Sequence, residues 1–263
     1  MTALITGATG GLGRELAMLF ARDDHNLLLT ARNADELAVL QQQLEREFHV
    51  HVRSVVLDLS DPQAASKLHR YAHEHGIIVD YLVNNAGFAA WNSYMRADTE
   101  KLRSMMQVNM GALAELTRLF GADMVQRHNG HILNISSIAS TIPGPYMAMY
   151  YASKAFVRSL SEAIAYELRG TGVSVTCVCP GPTSTGFEKA ANMHGKNFFT
   201  MTKPATPRAV AGFAYRKMNA RAVLAYAGAF SKSAAFAARF VPDRLAAACA
   251  AVMNGGDPVK QRK

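Results

Sequence analysis

Residues 2–13 read TALITGATGGLG, and this stretch is the strongest indication of the fold. A short apolar run over residues 3–6 is followed by four closely spaced glycines, Gly7, Gly10, Gly11 and Gly13. A helix-forming apolar stretch then covers residues 15–21. Strand, glycine turn and helix in this order let the backbone approach a pyrophosphate, and the helix N-terminus directs N–H groups at it. The stretch therefore predicts the first unit of a dinucleotide-binding domain.

The rest of the chain repeats an alternation of short apolar runs and helical patterns. Seven such runs are candidate strands, at residues 3–6, 27–31, 52–57, 80–84, 131–135, 173–179 and 222–226. This alternation predicts an α/β fold of the Rossmann type, a doubly wound parallel sheet of about seven strands with helices on both faces. Asp61-Pro62 and Thr206-Pro207 predict helix starts, and Gly76 predicts the end of the first of these helices. Because the sequence contains no internal repeats and no linker segments, we expect residues 1–263 to form one domain.

Tyr150 and Lys154 lie four residues apart in a helix-compatible stretch, and Ser137 ends a Ser-Ser pair upstream. Positions four apart share one face of a helix. A lysine cation favours a phenolate, so we expect it to lower the pKa of Tyr150 from about 10 toward neutrality. Such a phenol can exchange a proton with a carbonyl or alcohol oxygen. The neighbouring Tyr151 has Ala155 four residues on, so this pattern assigns the lysine to Tyr150 alone.

Together these motifs resemble the short-chain dehydrogenase/reductase family from Thr2 to about Thr185. The motifs that carry the resemblance, in the family's order and approximate spacing, are Thr6-Gly7-x-x-x-Gly11-x-Gly13, Asp58-Leu59, Asn84-Asn85-Ala86-Gly87, Asn109, Ser137, Tyr150-x-x-x-Lys154 and Pro180-Gly181-x-x-x-Thr185. The resemblance implies an NAD(P)-dependent oxidoreductase that transfers hydride between nicotinamide and a ketone, aldehyde or secondary alcohol. A catalytically silent NADP(H)-binding regulatory or scaffold protein is the alternative, which the intact motif residues disfavour.

The resemblance also implies roles for single residues. Tyr150 would exchange the proton, Ser137 would hydrogen-bond the substrate oxygen, and Lys154 would hold the nicotinamide ribose. Asn109 would perturb its helix and hold a water in a proton relay. The implied cofactor-binding residues all belong to the glycine turn, to segments that follow predicted strands or to the Tyr150 motif: Gly7, Thr9, Gly11, Leu12, Gly13, Arg32, Asp58, Leu59, Asn85, Ala86, Gly87, Tyr150, Lys154, Pro180, Gly181, Thr183 and Thr185. No metal is implied.

Arg32 bears on which dinucleotide is bound, because it follows the second predicted strand. A carboxylate there would bind the adenosine 2′-hydroxyl, whereas arginine presents a cationic fork to a 2′-phosphate. We therefore favour NADP(H). Many NADP-preferring relatives also carry a basic residue inside the glycine turn, where this chain has Gly10, so NAD(H) stays open as an alternative.

Residues 186–206 lack strong periodicity, and we expect them to form a lid over the substrate. Apolar residues of this segment include Phe198, Phe199 and Met201. We expect the pocket to be lined by methionine and aromatic side chains, with ordinary core packing as the alternative for each: Trp91, Tyr146, Met147, Met149 and Phe187. Such walls favour a small-molecule substrate, namely a medium-to-large lipophilic ketone or alcohol.

Charge is distributed unevenly along the chain. The net charge is +8, but residues 1–188 carry 15 Lys/Arg against 18 Asp/Glu, and residues 189–263 carry 13 against 2. Residues 228–263 form a predicted C-terminal helical extension in which Phe236, Phe240 and Val241 could share a stripe. Packing on the body, a subunit interface, and a basic surface that meets an anionic membrane or acidic carrier all remain open. No motif indicates nucleic acid binding.

The cysteine content, the position of the first strand and the lengths of the apolar runs predict the cellular compartment of the protein. Three cysteines, Cys177, Cys179 and Cys249, do not form a disulfide framework. The first predicted strand begins at once, so we expect no signal peptide, and no apolar run is long enough for a membrane span. We therefore expect a reduced, cytoplasmic protein, and the family resemblance implies a homodimer or homotetramer.

Overall fold

Seven parallel strands in a single sheet form the centre of the computed structural model, which describes residues 1–187, 191, 193, 197, 200 and 202–257. The strands are β1 (Thr2–Thr6), β2 (Asn26–Ala31), β3 (Val52–Val56), β4 (Tyr81–Asn84), β5 (Gly130–Ile135), β6 (Val173–Pro180) and β7 (Leu224–Ala227). Their order across the sheet is β3-β2-β1-β4-β5-β6-β7. The predicted fold class and all seven predicted strands are confirmed.

The order of the strands reverses next to β1, and this reversal determines where a ligand can bind. β1 pairs with β2 on one side, with Leu4 opposite Leu28, and with β4 on the other, with Leu4 opposite Leu82. The connections from β1 and β4 leave toward opposite ends of the sheet, which opens a crevice at the carboxyl ends of these strands. The predicted functional segments follow strands of this sheet at the same edge.

Helices cover both faces of the sheet. They are α1 (Gly11–Arg22), α2 (Ala34–Phe48), α3 (Ala64–Glu74), α4 (Thr99–Met106), α5 (Ala112–Gln126), α6 (Ala148–Glu167), α7 (Pro207–Asn219), α8 (Ala229–Ala237) and α9 (Asp243–Met253). Successive residues of β1 point to opposite faces. Ile5 packs in the core formed with α1, α2 and α7, whereas Leu4 packs in the core formed with α3, α5 and α6.

One of the two predicted helix starts is confirmed and the other is wrong. α7 begins at Pro207, and the Thr206 hydroxyl accepts a hydrogen bond from the Ala209 N–H at 3.2 Å. α3, in contrast, begins at Ala64 and not at Pro62. The Asp61 carboxylate accepts the Gln63 N–H at 2.9 Å, which closes a turn before the helix can start. Gly76 follows the end of α3 with φ of +63°, as predicted.

The C-terminal extension contains two helices, α8 and α9; residues 258–263 lie outside the described part of the chain. The rings of Phe236 and Phe240 contact each other at 5.3 Å between centroids, although Phe240 lies beyond the end of α8. Both are exposed to solvent, by 63% and 73%. Packing of these rings on the body is therefore wrong. Within the described residues, no helix is both long enough and apolar enough to cross a bilayer.

Candidate active site

The glycine turn between β1 and α1 is tied to the end of β4 by side-chain hydrogen bonds. The Thr6 hydroxyl accepts the N–H groups of Asn85 and Ala86, each at 3.0 Å. The Asn85 side-chain amide donates to the carbonyl oxygens of Thr6 and Gly7 at 2.9 and 3.1 Å. Gly7 has φ of +63°, and a Cβ at Gly13 would overlap the Gly7 carbonyl oxygen. These contacts require glycine at both positions and leave a compact turn in front of α1.

A cavity of about 390 Å³ opens on the β2–β3 side of the glycine turn. Seven predicted cofactor-binding residues line it: Gly7, Thr9, Arg32, Asp58, Leu59, Ala86 and Gly87. Arg32 is exposed, and no carboxylate of the described residues forms an ion pair with it. Glu36, which sequence reasoning missed, lines the same cavity. The cavity therefore contains both a free guanidinium group and an unpredicted carboxylate.

A second cavity, of about 220 Å³, opens on the β5–β6 side. Its lining includes the predicted residues Leu12, Asn85, Gly87, Ser137, Tyr150, Lys154, Pro180, Gly181, Thr183 and Thr185. Gly87 lines both cavities, so they meet at the reversal of strand order. Gly11, Gly13 and Asn109 line neither cavity. The two cavities together have the layout that an extended dinucleotide needs, with one end near Arg32 and the other near Tyr150.

Ser137, Tyr150 and Lys154 converge in the second cavity. The hydroxyls of Ser137 and Tyr150 face the same cavity, and the Ser137 hydroxyl favours the ionised form of the Tyr150 phenol. Lys154 Nζ lies 5.8 Å from the centroid of the Tyr150 ring and donates to the Ile135 carbonyl oxygen at 2.9 Å. The Ser136 hydroxyl instead donates to the Lys154 backbone carbonyl at 2.8 Å. The structure thus places the second serine of the pair, and not the first, beside the phenol.

Burial controls the protonation of this group. Desolvation raises the pKa of Tyr150 well above its usual value, although the nearby Ser137 hydroxyl acts in the opposite direction. Desolvation also lowers the pKa of Lys154 to about 8. The expectation that Lys154 lowers the pKa of Tyr150 toward neutrality is therefore wrong, because the loss of water on burial has the largest effect on this pKa and Lys154 donates to the Ile135 carbonyl oxygen. The phenol is protonated at neutral pH.

Asn109 lies behind the second cavity on an irregular turn. Residues Gln107–Gly111 form a π-helical turn between α4 and α5. The Asn109 side chain accepts the Phe88 N–H at 3.0 Å and donates to the Phe88 carbonyl at 2.9 Å and to the Ser153 hydroxyl at 3.1 Å. A Cβ on Gly87 would approach Asn109 Oδ1 to 3.2 Å. Asn109 therefore holds the segment after β4 in place.

Sequence reasoning missed a polar pair in the wall of the second cavity. The Tyr151 hydroxyl donates to Asn254 Oδ1 at 2.9 Å, and the Asn254 amide donates to the Pro145 carbonyl at 2.9 Å. Both side chains line the cavity. Tyr151, which the lysine pattern left without a role, is thus part of the site. Asn254 follows α9 and belongs to no motif, so no local signal could have identified it.

Apolar side chains form the rest of this wall. Met147, Phe187 and Met193 line the cavity, and the Phe187 ring lies 5.1 Å from that of Tyr150. Trp91 and Tyr146 pack in the cluster behind this wall, and Met149 is not part of it. Part of the predicted lid therefore contacts the cavity. The apolar residues Phe198, Phe199 and Met201 of the predicted lid lie outside the described residues.

Comparison with protein families gives one match that covers most of the chain. A family model described as short chain dehydrogenase matches residues 1–195. The protein named "Probable oxidoreductase EphD" from Mycobacterium tuberculosis is 33% identical over 193 residues, which is 72% of this chain and 32% of that protein. The chain thus spans about a third of the length of this relative.

Two solved structures have the same fold across nearly the whole chain. A short-chain dehydrogenase from Sphingobium yanoikuyae in complex with NADPH superposes with a TM-score of 0.81 at 29% identity, covering 91% of this chain and 93% of that one. The bulky-bulky ketone specific alcohol dehydrogenase from Comamonas testosteroni superposes with a TM-score of 0.78 at 26% identity, covering 91% and 92%. The similarity therefore extends beyond the residues that the family model matches.

Proposed function

Because the chain belongs to the short-chain dehydrogenase/reductase family, we propose that it is an NADP(H)-dependent oxidoreductase that interconverts a lipophilic ketone or aldehyde and the corresponding alcohol. The observation that carries the proposal is that Ser137, Tyr150 and Lys154 converge in the second cavity. This cavity meets the one on the β2–β3 side of the glycine turn at Gly87. Because the side chains required for proton transfer are all present in the cavity next to Gly87, we favour an active enzyme over the alternative of a silent NADP(H)-binding protein.

The chain's residues fit a bound dinucleotide. The glycine turn leaves space for a pyrophosphate at the N-terminus of α1, where backbone N–H groups and the helix dipole favour anions. The free guanidinium of Arg32 supports a preference for a 2′-phosphate, hence for NADP(H). The similar Sphingobium protein is in complex with NADPH. When bound, the nicotinamide supplies or accepts the hydride.

Tyr150 is the proposed acid and base. Its raised pKa keeps the phenol protonated at neutral pH, so this form of the protein is ready to donate a proton to a carbonyl oxygen. The Ser137 hydroxyl, which lines the same cavity as Tyr150, would stabilise the charge that develops on the substrate oxygen. Lys154 uses one N–H on Ile135 and has further donors for the ribose hydroxyls. Asn109 positions the Phe88 backbone.

The proposed substrate class follows from the wall of the second cavity. Met147, Phe187 and Met193 present adaptable apolar surface, and the Tyr151–Asn254 pair adds one polar position. The similar Comamonas enzyme is specific for bulky-bulky ketones, which supports a lipophilic carbonyl here. We propose that residues 186–206 close over this substrate, since Phe187 and Met193 already line the cavity.

The test is oxidation of NADPH and of NADH across a panel of lipophilic ketones and aldehydes. We expect turnover with NADPH, and we expect Tyr150→Phe to lower kcat at least a hundredfold while the Kd of NADPH changes less than threefold, because only the reacting proton is lost. Tyr166→Phe, an exposed tyrosine on the same helix, is the matched control. A Tyr150→Phe variant with a tenth of the wild-type rate would contradict the assignment, and tight NADPH binding without any turnover would favour the silent alternative.

We propose that the C-terminal extension contacts a second copy of the chain. Phe230, Phe236, Phe240, Leu245 and Val252 are all more than half exposed. The described residues 228–257 contain three basic and two acidic residues, so the positive charge of the C-terminal third lies mostly elsewhere. An apolar, nearly neutral surface suits a homo-oligomer better than an anionic membrane or acidic carrier. The free cysteines, two of them buried, support the proposal of a cytoplasmic location.

A further inference from the structure

Three metal-ligating side chains meet on the outer surface of α3 and α5, where they line neither of the two cavities. His69 and His73 lie one turn apart on α3, and Asp123 lies on α5. Two histidines four residues apart direct their rings to the same side of a helix. Because α3 and α5 pack side by side in one core, the carboxylate of α5 reaches both rings.

The ligand atoms are already close to the separations that a metal ion requires. The Nε2 atoms of His69 and His73 each lie 2.9 Å from Asp123 Oδ2, and one ligand atom from each of the three residues lies within 4.8 Å of the other two. Tetrahedral zinc has ligand bonds of about 2.0–2.2 Å, which puts two ligand atoms about 3.3 Å apart. Small side-chain rotations would therefore open the hydrogen-bonded cluster into a coordination site.

The cluster is held firmly on one side and open on the other. The edge of the His69 ring packs against Phe120 at 4.9 Å between centroids, and the side chains of His69 and Asp123 are about one-fifth exposed. The His73 side chain is 58% exposed, so an ion can enter from solvent and keep water as a further ligand. Restrained ligands lose less conformational entropy when they bind.

We propose that His69, His73 and Asp123 form a binding site for one divalent transition-metal ion of the zinc type, which joins α3 to α5. Two imidazole nitrogens and one carboxylate suit Zn²⁺, Co²⁺ or Ni²⁺, whereas Mg²⁺ and Ca²⁺ require more oxygen ligands. Among the described residues, no other three His, Cys, Asp or Glu side chains bring their ligand atoms this close. The expected stoichiometry is therefore one ion per chain.

The test uses the untagged, full-length protein and Zn²⁺ or Co²⁺ as the probe. We expect calorimetric titration to show one bound Zn²⁺, and Co²⁺ to give visible absorption bands typical of nitrogen and oxygen ligands. We expect His73→Ala to weaken binding at least tenfold, and Zn²⁺ to raise the Tm of the wild type but not of this variant. His75→Ala removes an exposed histidine at the end of the same helix and should bind Zn²⁺ like the wild type.

Two results would overturn the proposal. One is that the wild-type protein does not bind Zn²⁺ and its Tm does not rise when Zn²⁺ is added, which would leave the cluster as a hydrogen-bonded contact only. The other is equal affinity in the wild type and His73→Ala, which would place the ion elsewhere. Asp123→Asn keeps the shape of the side chain, and its expected loss of affinity provides a second measure if one alanine variant folds poorly. These readouts do not depend on oxidoreductase activity.

Discussion

Arg32 and Glu36 bring opposite charges to the cavity on the β2–β3 side, and their balance bears on the choice of dinucleotide. A guanidinium without an ion-pair partner is available to a 2′-phosphate, whereas a carboxylate repels that phosphate. From this pair we expect a preference for NADP(H) that is incomplete, and the absence of a basic residue at Gly10 leads to the same expectation.

For Arg32→Ala we expect kcat/KM with NADPH to fall by about 10- to 100-fold, the equivalent of one charge-assisted hydrogen bond of about 1.5–3 kcal/mol. With NADH we expect a change of less than about threefold, because that dinucleotide has no phosphate for the arginine to bind. Arg46→Ala, at the exposed end of α2, is the control. Equal losses with both dinucleotides would contradict this role for Arg32.

Lys154 carries a cost in stability that its position in the site explains. Its folded pKa of about 8 lies below the value of about 10.4 in an unfolded chain. Below pH 8 both states carry the proton, so the full cost of burying the cation is present. Between pH 8 and about 10.4 the unfolded state binds more protons, so stability rises with pH in this window. The difference in pKa corresponds to a cost on the order of 3 kcal/mol.

We therefore expect Lys154→Met to be more stable than the wild type at pH 7, by about 1–3 kcal/mol after the loss of the hydrogen bond to Ile135. This gain should shrink at pH 9.5, where the wild-type lysine is largely neutral. Urea unfolding at both pH values measures it, with the exposed Lys232→Met as control. A gain that is the same at both pH values would show that the ionisation of Lys154 is not its cause.

At the scale of elements, hydrophobic periodicity and the positions of turn-forming residues predicted most of the fold. The five inner strands are buried on both faces and form short apolar runs, whereas the edge strands β3 and β7 are only partly buried. Turns and helices separate all seven runs, which made each of them recognisable. The start of α3 was misplaced because the Asp61 side chain closes a turn onto the Gln63 N–H, a contact that competes with the helix locally. The sequence pattern predicted that Ser137, Tyr150 and Lys154 belong to one site, and the structure brings them to one cavity. The pKa of Tyr150, in contrast, depends on burial by distant segments, which a sequence pattern does not report.

Helix α8 and the residues just after it expose two phenylalanine rings, and the proposed subunit contact can be tested there. We expect the double substitution Phe236→Ser and Phe240→Ser to weaken self-association at least tenfold, because it removes the largest exposed rings of the proposed interface. Analytical ultracentrifugation over a range of concentrations measures the change. Met95→Ser, an exposed apolar side chain far from the extension in sequence, is the control.

The oligomer proposal fails if the double variant associates like the wild type. Flotation with anionic vesicles separates the remaining possibilities, since binding that weakens with salt would instead support a membrane surface.

At the scale of the whole molecule, the bond between Tyr151 and Asn254 connects positions 103 residues apart and completes the wall of the second cavity. Asn254 is 4% exposed and also satisfies the Pro145 carbonyl. We expect Asn254→Ala to raise the substrate KM several-fold with little change in kcat, since the residue contacts the pocket and not the reacting group. The cost to stability should be about 1–3 kcal/mol, from the carbonyl left without a donor.

A double-mutant cycle with Tyr151→Phe tests whether the two residues act as a pair. We expect the double variant to have nearly the KM of Asn254→Ala alone, because the shared hydrogen bond is lost in either case. Strictly additive effects on KM would mean that the bond between them does not shape the pocket.

The contribution of Asn254 also fixes an order of events when the chain is made. Among the residues that the structure describes, none that lines the cavity on the β2–β3 side comes after Val108. The wall of the second cavity, in contrast, includes Asn254, which follows α9. Chains emerge from the ribosome N-terminus first, so the groups that would hold the adenosine end are synthesised long before the substrate wall can close. During synthesis, the residues proposed to hold the adenosine end of the dinucleotide are therefore made before Asn254, which completes the wall proposed to select the substrate.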